Sequence, residues 1–253
     1  SVAVLDDQGR VQARSPAHEV PDGDVVRIAV DGLEDGTEYD YAVEVDGDLD
    51  DGRGRGRLST APAGAADLRI AVASCARTGS DGRVFDAIRR VEPDLYLNTG
   101  DFHYGNPGTA DIDRFRTLIG QQLQSPAQAA LYREVPIAYV WDDHDYGPND
   151  ADSTSPTRDT AWRAYRELVP SVAAPTGPIN QAFSLGRVRV VMTDTRSAKT
   201  ESTMLGAAQL DWLVDELQAA SRTHALVLWV QSVPWISDVD PARDDWGAYP
   251  DER

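Results

Sequence analysis

The 253-residue sequence predicts a layered α/β domain over residues 67–253, preceded by a small all-β domain over residues 1–62. Two observations carry that prediction. From Asp67 onward, apolar runs of strand length alternate with stretches of helical periodicity, the order expected where helices cover a sheet. Ahead of Asp67, short β-prone runs are separated by glycine-punctuated turns.

In chain order, Val25, Ile28 and Val30 lie in one β-prone run, and Tyr39, Tyr41, Val43 and Val45 alternate with polar residues in another. Residues 31–37 between them read as a turn, residues 46–57 as a glycine-rich, solvated hairpin tip or loop, and residues 59–64 as a linker. Residues 68–73 form an apolar strand, Val84, Ile88 and Val91 mark a short amphipathic helix, and residues 94–98 a second strand. The apolar run 136–140 is a third. Residues 188–193 and 225–230 are further buried strands, and Leu210, Leu213, Val214 and Leu217 fall at helical spacing, so that helix lays one stripe on a sheet.

Composition narrows the function classes. The formal charge of -18 opposes non-specific binding to nucleic acid or anionic lipid, because the field of the whole molecule repels polyanions. A phosphate-bearing substrate would need local help from cations, most simply a metal. Cys75 is the only cysteine, which excludes an intrachain disulfide framework and zinc-knuckle spacing. No run of about eighteen apolar residues is present, so no membrane-spanning helix is expected. Ser1-Val2-Ala3 lacks a basic-then-apolar leader, and any export signal is expected to have been removed.

Three strand ends carry polar residues that packing does not call for. They are Ser74-Cys75 after the first, Gly100-Asp101-Phe102-His103-Tyr104 after the second, and Trp141-Asp142-Asp143-His144-Asp145 after the third. The last concentrates hard oxygen ligands and a titratable proton donor at one point. Ligands gather beyond the carboxyl ends of neighbouring parallel strands, so the three loops are expected to converge. Singly, each has an ordinary explanation: Cys75 as a small buried hydrophobe, Gly100-Asp101 as a turn, Tyr104 as a packed ring, and His103 as a structural residue. Together, a thiolate, a phenolate and several carboxylates form an anionic nest that is costly without a multivalent cation. Free phenol ionises near pH ~10 and free thiol near ~8.5, so a strong Lewis acid is needed to hold both deprotonated at neutral pH. That pair favours ferric iron, and the additional carboxylates suit calcium or magnesium beside it.

The segments IAVASCA, DLYLNTGDFHY, WDDHD, MTDTRS and LGAAQLDWLVDEL occur in the order seen in the alkaline phosphatase D family. The chain resembles that PhoD-like branch of the calcineurin-like metallophosphatases over about residues 1–253. GLEDGTEYDYAVEV followed by LSTAP resembles a fibronectin type III or purple-acid-phosphatase-like β-sandwich. The resemblance implies a β-sandwich flanked by helices, and an Fe3+ ion held partly by Cys75, Asp101 and Tyr104, with Ca2+ sharing Asp101. Asp143 would be a further ligand and His144 the catalytic histidine. Asn149 is a candidate extra oxygen ligand, although YGPND is also an ordinary turn. Arg196 would offer a fork of donors to phosphoryl oxygens; its ordinary alternative is pairing with Asp194 or another acid.

The implied activity is hydrolysis of a phosphate mono- or diester by a metal-activated hydroxide, in a secreted, periplasmic or cell-surface protein. Two departures from the family pattern are visible. Ser232 stands where many metallophosphatases place a metal-binding His, and the family's closing Gly-Asp-x-His strand end does not occur before Arg253, which leads one to expect a truncated enzyme. Other hydrolase designs fit worse. There is no Gly-x-Ser-x-Gly elbow and no lysine-bearing phosphate loop, and a glycosidase pair of Asp142 and Asp145 leaves Cys75 and Tyr104 unexplained. The rival from another class is a non-catalytic secreted or cell-surface binding module that retains the fold.

Overall fold

The computed structural model describes residues 1–19, 25–50, 52, 54–77, 79, 81–174 and 176–253. Near the N-terminus, β1 (Val2–Leu5) pairs antiparallel with β2 (Val11–Arg14) and with β3 (Glu38–Val45). β3 in turn pairs with β4 (Asp48–Leu49) and β5 (Arg55–Ser59), which completes one five-stranded sheet. Within the stretch expected as a solvated hairpin tip or loop over residues 46–57, residues 48–49 and 55–57 are strand; residues 51 and 53 lie outside the described residues.

Among the described residues this region is a single sheet, and the second sheet of a fibronectin-like sandwich is not seen. The run 25–30, expected as a strand, forms none. A side chain of the run is held elsewhere. Arg27 donates to the carbonyls of Arg166 and Val169, at 2.7 and 2.5 Å, and so satisfies acceptors that the end of a helix leaves open.

The next sheet is parallel: β6 (Ile70–Ala73), β7 (Leu95–Asn98) and β8 (Ile137–Tyr139), with Ile70 opposite Leu95 and Tyr96 opposite Ile137. Parallel neighbours need crossovers, supplied by α1 (Arg83–Arg90) and by α2 (Ile112–Gln124) with α3 (Pro126–Glu134). A short α4 (Asp143–Tyr146) and α5 (Arg158–Leu168) follow. In the third sheet β9 (Gln181–Leu185) and β10 (Val188–Met192) make a hairpin, with Gly186 at φ 58 in its two-residue turn. α6 (Ala207–Thr223) then carries the chain to β11 (Leu226–Val230), parallel to β10.

Alternation along the strands shows how the layers stack. Leu95 and Leu97 of β7 share one buried cluster with Val190 and Met192 of β10, whereas Tyr96 packs with Phe85 of α1 and Leu131 of α3. Val191, on the other face of β10, meets Leu213 of α6. Two sheets thus enclose a common core and carry helices outside, as the resemblance implies. The helical stripes differ in detail from expectation. Phe85 and Ile88 face the sheet from α1 while Val84 and Val91 are exposed, and Val214 is exposed on α6. Among the described residues no helix is long and apolar enough to cross a membrane.

Candidate metal centre

Because β6, β7 and β8 run parallel, the chain leaves all three at one edge, and backbone hydrogen bonds tie the loops there. Cys75 N donates to the Gly100 carbonyl at 3.1 Å, Ala76 N to that of Asp101 at 2.8 Å, and Val140 N to that of Asn98 at 3.1 Å. Gly100 has φ 107, and a Cβ on it would fall 2.6 Å from Asp142 Cβ, so only glycine allows the second and third loops to meet. Cys75, Asp101, Asn106 and Asp150 hold left-handed backbone at φ 59, 53, 44 and 60. Non-glycine residues in that region are strained, and such residues collect at functional sites.

The Cys75 thiol donates to Asp101 Oδ2 at 3.5 Å. The Tyr104 hydroxyl is hydrogen-bonded to the same pair; burial first, and these bonds next, push it well above the ordinary phenol pKa in the absence of a cation. Asp101 is 6% exposed, and its Oδ1 is buried with no hydrogen-bond partner among the described residues. An orphaned carboxylate oxygen beside a thiol and a phenol fits a multivalent cation, whose absence would leave a large desolvation cost. Asp101, Asp143 and a ring nitrogen of His144 place ligand atoms within 4.8 Å of one another.

Asp143 is oriented by its surroundings. Its Oδ1 accepts from His144 N at 2.9 Å and its Oδ2 from Asp150 N at 2.6 Å. His144 presents Nδ1 to Asn106 Oδ1 at 2.5 Å, and its ring lies 4.4 Å from that of Tyr104, centroid to centroid. A second acidic group, Asp143, Asp150 and Asp244, also keeps its oxygens within 4.8 Å and shares Asp143 with the first. Asp244 already carries Arg196 at 2.6 Å and an ion pair to Lys199. The uncompensated charge is therefore on the Asp101 side.

The loops thus bring together Cys75, Asp101, Tyr104, Asp143 and His144 of the expected set. Asn149 lies exposed on the turn whose next residue, Asp150, joins the acidic group. Arg196, expected to reach phosphoryl oxygens, has a side chain only 2% exposed and pairs with Asp142 at 2.5 Å as well as with Asp244. Its donors are committed within the protein, to acids other than Asp194. Ser232 donates to Asp142 Oδ1 at 3.0 Å, in the same network.

Three neighbours are structural. Asp194, fully buried, accepts from Trp141 Nε1 and from the backbones of Ile179, Arg196 and Ser197. Asp145 accepts from His103 N and Asp142 N at 3.0 and 3.1 Å, and burial pushes it up to about 7. Burial likewise lowers His103 to about 4, so it is neutral at physiological pH. Asn106, Asp150 and Asp244 escape the sequence reading. The signals for them are weak: an Asn after a glycine and acids in turn-rich stretches.

A family model described as PhoD-like phosphatase matches residues 70–253. A solved structure of PhoD superposes with a TM-score of 0.78 at 18% identity, over 99% of this chain and 60% of that one. The purple acid phosphatase PPD1 from yellow lupin (Lupinus luteus) seeds gives 0.55 at 12% identity, over 90% of this chain and 45% of that one. This chain thus spans 60% of the length of the PhoD structure. No curated protein sequence matches it. At those identities the solved structures speak for the fold alone, while the family match covers most of the chain: the protein belongs to the PhoD-like phosphatases.

Proposed function

We propose that this chain carries the active-site loops of a metal-dependent phosphoester hydrolase acting on phosphate mono- or diesters. The observation that carries the reading is the buried Asp101 Oδ1, without a hydrogen-bond partner among the described residues, beside Cys75, Tyr104, Asp143 and His144. In this reading Cys75, Asp101 and Tyr104 would hold iron, calcium would share Asp101, and Asp143 and Asn149 would be further oxygen ligands. Bound there, such cations polarise a phosphoryl oxygen and make a water acidic enough to attack phosphorus.

The chain's own residues supply the rest. Strained backbone at Cys75 and Asp101 pre-aims the ligands, so little reorganises on binding. His144 gives a proton to the departing alkoxide. Arg196 acts indirectly, by holding Asp142 and Asp244 in place, and with Lys199 on Asp244 the four charges balance. An acidic molecule of this kind favours small phosphate esters over polyanions. The reading carries an exported location with it, in the periplasm, at the cell surface or outside.

Iron and calcium assays combined with hydrolysis of bis(p-nitrophenyl) phosphate test it. Asp101→Ala is expected to abolish metal uptake and turnover together without unfolding the N-terminal sheet. Full metal occupancy in Asp101→Ala contradicts the ligand set, and wild-type protein that is metal-free and inactive returns the chain to the binding-module alternative.

A further inference from the structure

The contact between Asn106 Oδ1 and His144 Nδ1 plays no part in the ligand set. A carboxamide oxygen only accepts, so this 2.5 Å hydrogen bond places a proton on Nδ1. Neutral imidazole exchanges between two tautomers, and the partner of one nitrogen decides which is populated.

The loop is built to deliver that partner. Gly105 lies against Leu118 of α2 so closely that a Cβ would overlap the leucine side chain, and its N–H donates to His103 Nδ1 at 3.3 Å. With the loop seated, Asn106 turns into left-handed backbone at φ 44, a conformation asparagine tolerates better than most residues. Tyr104 packs on the His144 ring from the same loop, which limits its rotation.

We propose that Asn106 is a positioning residue that holds neutral His144 in the Nδ1–H tautomer and leaves Nε2 as its proton-transfer atom. The catalytic clause rests on the hydrolase reading; the tautomer does not. When imidazolium gives its Nε2 proton to a departing alkoxide, the alkoxide becomes an alcohol and the ring becomes the neutral Nδ1–H form. Asn106 stabilises that product directly, so no tautomer shift is needed afterwards.

Long-range 1H–15N correlation spectra of the 1–253 chain test this, with labelled histidine, after chelation, at a pH where the ring is neutral. His144→Gln assigns the signals. The wild type is expected to show protonated Nδ1 and bare Nε2, Asn106→Ala to lose that preference, and Asn106→Asp to retain it. Protonated Nε2 in the wild type, or an unchanged tautomer in Asn106→Ala, overturns the proposal. Asn106 is exposed, so no packing is lost; alanine is strained at φ 44 whereas aspartate tolerates it, and an unfolding midpoint for Asn106→Ala confirms that the chain stays folded. After metal loading, Asn106→Ala is expected to lower kcat about 10–100-fold, the scale seen for groups that orient site histidines, with KM unchanged and rescue by Asn106→Asp. Equal kcat in Asn106→Ala and wild type overturns the catalytic clause. The expected tautomer in a wild-type chain without turnover supports the tautomer assignment and counts against the hydrolase reading.

Discussion

At the residue scale, the site is ordered by which charges have partners. Among the described residues Asp101 keeps a buried oxygen without a hydrogen-bond partner, whereas Asp142 and Asp244 are balanced by Arg196 and Lys199 together. A buried ion pair broken on one side leaves an unpaired charge, which costs about 3–5 kcal/mol. Arg196→Met is therefore expected to lower stability by that order, read from the urea midpoint; unchanged stability with a raised KM would instead make Arg196 a substrate contact. The five residues Cys75, Asp101, Tyr104, Asp143 and His144 were legible because each stands just past an apolar strand, where its type is out of place. Asn106, Asp150 and Asp244 were not, since their side chains enter the site by way of loops whose path depends on distant packing, such as Gly105 on Leu118.

Among the elements, strands β6, β7, β8, β10 and β11 were readable to within two residues at each end, because each is a short continuous apolar run, although Val72 of β6 and Leu226 of β11 are exposed. β9 and helices α2, α3 and α5 were not. The inner face of α5 is Ala161, Ala164 and Tyr165 among charged residues, too thin an apolar stripe to register. Beyond β11, the turn Trp246–Ala248 is held by Asp245, which accepts from Gly247 N at 2.7 Å and from Ser237 and Arg243. Chiefly the Arg243 bonds, against desolvation and with help from Gly247, lower this carboxyl to about 2. A depressed folded pKa means the unfolded chain binds the proton first. The stabilisation is thus present above about pH 4 and lost as pH falls through about 2. Arg243 is substantially exposed, which limits the effect to about 1–2 kcal/mol. Thermal unfolding of Asp245→Asn should lie below wild type at pH 5 and meet it near pH 2; a gap that persists in acid would assign the effect to packing.

Across the whole molecule, two features act together. Parallel pairing of β6, β7 and β8 sends three loops to one edge, and two sheets around a shared core keep that edge rigid. On a chain of formal charge -18, deprotonating the Cys75 thiol and the Tyr104 phenol there as well adds to the repulsion, which a bound cation would offset. The layered α/β order was visible in the alternation of strand and helix patterns. The N-terminal sandwich was not a safe inference, because β-prone residues such as Val25 and Val26 say nothing about whether Arg27 will be drawn to α5 instead. The most direct measurement is anomalous X-ray diffraction at the iron edge from crystals of the metal-loaded chain. The account predicts a peak within bonding distance of Cys75 Sγ, an Asp101 oxygen and the Tyr104 hydroxyl oxygen, and a flat map there, or a peak elsewhere, would contradict it.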